Sequence, residues 1–379
     1  FQAEDGIRDS VASRGLGDVY KRQRLLAVTF TNRAAKEMRS RIESHIDSNF
    51  QVRNVGTFHS LCARLLRQES ENAARSKDFV IYDSADQRAL IKQSMRHHNI
   101  DVAKYKPHSI HSTISTAKND LIGVSEFTRD SYYYEIVARV YERYQYLLEQ
   151  NNALDFDDLL AEAVFLLRDN PVVREHYQNL YQKILVDEFQ DTNLAQYTLL
   201  RLLSGKYRDL FVVGDPDQSI YRWRGADYRN VRRFQTDYPE AEIIYLRKNY
   251  RSTQTILDVA TAVIGKNHSG DSIRLFSDIA GGDKINVHEA YDEEEEARFV
   301  VDTINTNSLN KKIRPGECAV MYRTNAQSRA LEEAFVRAGM PYRLLGATRF
   351  YARREICLLY TSDAADERSS VDLGGRRII

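Results

Sequence analysis

A chain of 379 residues with 42% hydrophobic content is long enough for two or three domains with their own cores, and too apolar for a disordered polypeptide. Its 54 Lys and Arg balance 54 Asp and Glu, so no global positive field draws a nucleic acid and any such binding must rest on local patches. Its 3 cysteines, Cys62, Cys318 and Cys357, lie far apart without histidines at metal-ligand spacing, and no apolar stretch is long enough to span a bilayer; the chain is expected to be cytoplasmic, reduced and free of membrane.

The ends differ from the middle. Residues 1–23 ("FQAEDGIRDSVASRGLGDVYKRQ") and 357–379 carry no sustained helical or strand period, resemble translated sequencing-adaptor sequence, and are expected to lie outside the fold. From residue 24 onward, apolar runs finish in polar residues: "LLAVTFTN" (Leu25 to Asn32), "VGTFHS" (Val55 to Ser60), "KILVDEFQD" (Lys183 to Asp191), "LFVVGDPDQS" (Leu210 to Ser219) and "EIIYLRKNYRS" (Glu242 to Ser252). Such runs, separated by helical stretches like "AAKEMRSRIESHI" and "LAQYTLLRLLSG", predict an α/β fold around a parallel sheet. Ligands bind beyond the carboxyl ends of such strands, so the polar tails are expected to line one crevice. Residues 24–75 and 155–280 then form one domain, interrupted by a helical insertion over 76–154. In that insertion Tyr134, Val137, Tyr141, Tyr144 and Leu148 share a helical face and predict core. Residues 281–356, with strand candidates "KINVHEAY", "ECAVMYRT" and "YRLLG", predict the start of a second α/β domain. The acidic run in "YDEEEEARFVVDTI" reads as a solvated helix start.

The third run ends in Asp187 and Glu188 without a spacer. A buried strand holds such acids rigidly at the crevice while keeping their charge out of the core; one can bind a magnesium ion and the next activate an attacking water. A bare Asp-Glu pair reads better as an acidic strand-to-helix turn, with Asp191 near an N-cap. Likewise "SIYRWRGADYRNVRR" sets Tyr221 and Trp223, the only tryptophan, among Arg222, Arg224, Arg229, Arg232 and Arg233. That mixture suits a groove for single-stranded nucleic acid, where stacking contributes about 1 to 3 kcal/mol per base, or simply an exposed aromatic stacked on an arginine. His59 and Ser60 are adjacent without an acid partner, which excludes a hydrolase triad.

The blocks "FTNRAAKEM", "GTFHSLCARLLR", "NALDFDDLL", "VDEFQDTNLAQYTLL", "VVGDPDQSIYRWRGAD", "LRKNYRSTQTIL" and "MYRTNAQSRALEEAF" resemble, in order and spacing from Arg24 to Ile356, superfamily 1 DNA helicases of the UvrD/Rep/PcrA family. The resemblance implies a RecA-like core using ATP and Mg2+. Asp187 would hold the metal, Glu188 would position or deprotonate the attacking water, Gln218 would sense the terminal phosphate, Arg251 would stabilise its developing charge and Tyr250 would stack on adenine. Taken singly, Gln218 is also a turn cap, and Tyr250 and Arg251 are surface residues at a helix start. The same resemblance assigns contacts to single-stranded DNA to Phe30, Thr31, Thr57, His59, Tyr221, Trp223, Arg224, Arg323 and Asn325, and implies 3′-to-5′ translocation and duplex separation at single/double-strand junctions.

A phosphate cradle of the form GxxxxGK[ST] does not occur; "SGKY" and "IGKN" lack both the preceding glycine and the following Ser or Thr. The family's cradle lies upstream of "LLAVTFTN", and its pattern continues past Ile356 into a helical subdomain and two further motifs, so the sequence is expected to be an inactive internal fragment, its sheet short of a central strand and prone to aggregate. Two further readings stand beside an ATP-driven helicase: a nucleotide-independent single-strand-binding module, and the helicase arm of a recombination nuclease complex.

Overall fold

The computed structural model describes residues 24–45, 54–219, 227, 229–266, 274–279, 281–311 and 313–345. It divides into two compact units, one made of residues up to Ser252 with Val259–Asp278, the other of Thr253–Asp258 and the residues from Ile279 on.

In the first unit, β1 (Leu25–Thr29) and β2 (Val55–Thr57) each run directly into a helix, α1 (Asn32–Ser44) and α2 (Phe58–Gln68). The threonine at each junction makes the turn: Thr31 Oγ1 accepts from Ala34 N, and Thr57 forms a reciprocal capping box with Ser60. A short strand β3 (Val80–Ile81) opens a run of helices, α3 (Ser84–His97), α4 (Pro107–Asn119) and α5 (Tyr132–Gln150), which closes with its parallel partner β4 (Ala153–Leu154). The chain then continues through α6 (Phe156–Asp169), α7 (Pro171–Leu180), β5 (Lys183–Val186), α8 (Leu194–Ser204), β6 (Leu210–Val212), α9 (Arg229–Asp237) and α10 (Gln254–Ile264), whose first residues, to Asp258, are counted with the second unit.

The sheet is parallel throughout, in the order β2-β1-β5-β6. Its register sets Val28 opposite both Gly56 and Val186, so the carboxyl ends of β1, β2 and β5 finish side by side. Continuous apolar sequence is required because the central strands are covered: Leu26, Val28, Ile184 and Val186 are at most 2% exposed and pack with Phe58, Leu159, Leu160, Tyr197 and Leu199 from helices. A second cluster fills the inserted helices, with Ile91 and Met95 of α3, Ile110 and Ile114 of α4, and Val137, Tyr141, Tyr144 and Leu148 of α5. The tyrosine stripe is therefore core, except that Tyr134 stands 42% exposed.

Two expectations about strands are corrected. The fifth run, Glu242 to Ser252, forms no strand; a single bridge joins Lys248 to Phe276, while Ile244 and Leu246 are 68% and 76% exposed. β propensity favours an extended backbone, but a strand exists only where a neighbour lies about 4.8 Å away to take its hydrogen bonds, and among the described residues this run has none beyond the bridge. Nor, among the described residues, does the sheet have an internal gap: the four strands pair contiguously, and β6 has no described partner on its far side.

In the second unit, α11 (Glu293–Lys311) and α12 (Ser328–Arg337) pack through Val301, Ile304 and Phe335, with Met340 just after α12 in the same cluster. Asp292 accepts from the amides of Glu294 and Glu295, and the glutamates of the first turn lie where the helix dipole favours them. "KINVHEAY", "ECAVMYRT" and the described part of "YRLLG" are not strands: no ladder forms among them, and Val287 and Met321 are more than 90% exposed. The reason is the same lack, among the described residues, of a paired neighbour.

Candidate active site and nucleic-acid interface

β5 delivers its acids by a local distortion. The amide of Asp187 still pairs with Val28 O at 3.0 Å, but Glu188 turns into the left-handed region at φ 53°, ψ 42°, before a 3-10 turn over Phe189–Asp191. A non-glycine residue pays of order 1 to 3 kcal/mol for that conformation, and such strain concentrates at functional sites. Here it throws the Glu188 side chain outward while Phe189 dives into the core at 2% exposure.

Asp187 is half-buried; burial and the neighbouring Glu188 charge raise its pKa above the ordinary carboxylate value, against the amide of Glu188 that donates to Asp187 Oδ1 at 3.0 Å. Asp191 is raised for the same two reasons, and its Oδ1 is buried without a partner. Thr29 Oγ1, at the adjoining end of β1, is a second buried oxygen without a partner. Among the described residues no group of three or more His, Cys, Asp or Glu could cage a metal. Crowded acids with unsatisfied oxygens beside them fit Mg2+, which takes one or two carboxylates and otherwise water and phosphate oxygens.

The loop after β6 faces this turn. Phe189 N donates to Val213 O at 2.9 Å, and Gly214 allows close approach: a Cβ there would stand 2.8 Å from Gln190 Oε1. Gln218 lies in the 3-10 turn Pro216–Gln218, exposed, its Nε2 donating to Asp215 Oδ2 at 2.8 Å. Gln190, 1% exposed, bridges the two segments, with Nε2 donating to Glu188 Oε2 at 2.7 Å and Oε1 accepting from Asp215 N at 3.0 Å. Sequence reasoning missed Gln190 and Asp215; the signal available was a third polar residue in "DEFQD" at the end of an apolar run.

Tyr250 and Arg251 follow the Lys248 bridge. Tyr250 is 47% exposed with Lys248 Nζ 5.3 Å from its ring centre, and the exposed Arg251 is placed by its amide, which donates to Asn249 Oδ1 at 2.9 Å. Asp187, Glu188 and Gln218 are thus joined by hydrogen bonds; no described contact joins Tyr250 or Arg251 to them.

Of the residues expected to touch DNA, Phe30, Thr31, Thr57 and His59 come together at the ends of β1 and β2. Phe30 meets Phe58 edge-on at 5.9 Å, and His59 meets Phe156 at 5.8 Å. Both threonines are engaged as caps, and burial lowers the His59 pKa, so its imidazole is neutral at pH 7. Tyr221, Trp223 and Arg224 lie outside the described residues. Arg229 and Arg233 are paired with Asp227 at 2.8 and 3.0 Å, while Arg232 is exposed. In the second unit Arg323 and Asn325 are exposed at the turn before α12, where Gln327 Oε1 accepts from the Arg323 amide at 3.0 Å.

A parallel α/β sheet whose strand ends in a metal-suited Asp-Glu pair defines a RecA-like core. The UvrD/REP helicase N-terminal domain matches residues 12–239, and the UvrD-like helicase C-terminal domain matches residues 244–361. The chain belongs to the UvrD/REP helicase family. It is 43% identical over 357 residues to the ATP-dependent DNA helicase PcrA of Staphylococcus aureus (strain Mu50 / ATCC 700699) and, to the same extent, to PcrA of Staphylococcus epidermidis (strain ATCC 12228 / FDA PCI 1200). The alignment covers 94% of this chain and 49% of each relative, so the chain spans about half the length of the curated relatives it matches. No helix among the described residues is long and apolar enough to cross a membrane.

Proposed function

We propose that this chain is part of an ATP-dependent DNA helicase that translocates 3′ to 5′ on single-stranded DNA and opens duplexes at single/double-strand junctions. The observation that carries the reading is the rigid end of β5, where Asp187 and a conformationally strained Glu188 are hydrogen-bonded, through Gln190 and Asp215, to the loop holding Gln218. Asp187 would hold Mg2+, which when bound neutralises phosphate charge. Glu188 orients the attacking water and accepts its proton; Gln218 contacts the terminal phosphate, Arg251 its developing charge, and Tyr250 the adenine. Phe30, Thr31, Thr57, His59, Tyr221, Trp223, Arg224, Arg323 and Asn325 contact the strand. Residues 24–75 with 155–280 and residues 281–356 act as the two RecA-like lobes, 76–154 as an inserted helical subdomain, and 1–23 and 357–379 as tails outside the fold.

A sequence without GxxxxGK[ST] has no backbone cradle for the phosphates, so this chain alone is expected to bind single-stranded DNA without turning over ATP. That feature also favours, as a second reading, a nucleotide-independent binding module. The deciding measurement is DNA-stimulated ATP hydrolysis in the full-length protein that carries this segment, beside the same protein with Glu188→Gln. Stimulated turnover that Glu188→Gln abolishes supports the motor; DNA binding with no turnover in the full-length protein supports the module.

A further inference from the structure

We infer that Gln190 is a positioning residue that holds Glu188 as a hydrogen-bond acceptor and ties it to the loop carrying Gln218. The inference rests on the reading of Glu188 as the residue that activates water, and gives the bridging Gln190 a positioning role in the chemistry that the reading itself does not assign.

An amide has one accepting and one donating end. Gln190 Oε1 faces the backbone N–H of Asp215, which can only donate, so the NH2 end must face Glu188, at 2.7 Å from Oε2. The orientation is fixed by chemistry at both ends and by burial at 1% exposure, where an unpaired amide would be costly. Gly214 seals the arrangement, since any Cβ would press on Gln190 Oε1 at 2.8 Å and on its backbone nitrogen at 3.2 Å. Ser219 Oγ reaches Gln190 O at 3.4 Å from the far end of the same loop. Glu188 is the carboxylate bonded to this amide; Asp187 and Asp191 lie on the same turn, each beside Glu188, and Asp215 on the loop meets the amide through its backbone N–H while its side chain holds Gln218 at 2.8 Å. A shift of Gln218 on meeting a phosphate therefore moves Asp215, then the amide, then the acceptor that orients water.

Two substitutions separate this role from simple packing. Gln190→Glu keeps the shape and the acceptor for Asp215 N–H, but donates to Glu188 only while the new carboxyl is protonated. Gln190→Met removes both bonds at similar volume. In the full-length protein, Gln190→Met should lower kcat for DNA-stimulated hydrolysis at least about tenfold with the KM for ATP nearly unchanged. Gln190→Glu should approach wild-type rate near pH 6 and lose it as pH rises towards 8, a basic limb that the wild type lacks. Gly214→Ala, which crowds the same amide from the facing segment, should reproduce the kcat loss and serves if the Gln190 variants do not fold. Wild-type kcat in Gln190→Met, or superimposable pH profiles for Gln190→Glu and wild type, overturns the inference. Glu188→Gln measured in parallel tells the two failures apart: if it stays active, the reading of Glu188 fails; if it is inactive while the Gln190 variants match wild type, only the positioning role fails.

Discussion

At the level of single residues, the least expected feature is a buried cation among carboxylates. Lys118 Nζ lies 2.7 Å from both Asp155 Oδ2 and Asp158 Oδ1, with all three side chains at most 4% exposed, and Tyr144 OH donates to Asp155 at 2.8 Å. One positive charge compensates one carboxylate. Asp155, which also receives backbone and tyrosine hydrogen bonds, is held low, whereas burial and the Asp155 charge push Asp158 up to about 7 and Asp157 up to about 6. Removing the cation by Lys118→Met would strand buried charge and should destabilise the fold by about 3 to 5 kcal/mol in urea titrations. The raised groups give a pH dependence of definite sign. Between an unfolded value near 3.8 and a folded value of about 7, native Asp158 binds more protons than the unfolded chain, so its contribution to stability falls as pH rises through that window. His59, His98 and His111, lowered by burial, act oppositely below 6.5, so the informative comparison is with Asp158→Asn. The urea midpoint of that variant should gain on wild type between pH 5 and 8; a constant difference would refute the assignment. None of this was legible in sequence, because Lys118 sits on α4, 37 residues before Asp155, with no local pattern to mark it.

At the level of elements, what could be read were runs whose stabilisation is local or whose partners are close at hand. The first four apolar runs became β1, β2, β5 and β6, and the acids at the end of the third emerged together because a strand end fixes neighbouring side chains. The fifth run and the three in the second unit have the same composition, yet form no ladder, since composition does not say whether an edge is available. The link between the inserted helices and the site also escaped sequence reasoning. Asn193 caps α8 in a reciprocal box with Gln196, donates to Asn119 Oδ1 at the end of α4, and gives its carbonyl to Asn230 Nδ2 of α9 at 3.2 Å. Three helices therefore meet two residues after Asp191. Asn193→Ala loses the cap and the bond to Asn119, and should cost about 1 to 2 kcal/mol by chemical denaturation. Gln196→Ala, which loses one arm of the box but spares Asn119, should cost less; equal losses would mean that the link to α4 contributes nothing.

Across the molecule, stability and solubility depend on how the sheet of the first unit ends. On one side of β6 the ladder with β5 is complete, from Ile184 opposite Leu210 to Val186 opposite Val212. On the other side no described strand pairs with it, and Phe211 and Val213 are 53% and 43% exposed. Ile243, Ile244 and Leu246, apolar and without a ladder, are exposed in the same unit. An exposed apolar edge is a template for pairing with another chain, and no charged side chain lies along Leu210 to Val213 to blunt this one. The chain is therefore expected to self-associate through β6 as its concentration rises. Sedimentation velocity over a concentration series should show the weight-average mass climbing, and Phe211→Lys, which puts a charge on the exposed edge without touching the buried face, should return it towards the monomer. If Phe211→Lys leaves the association unchanged while the protein melts as wild type does, the sticking surface is not this edge.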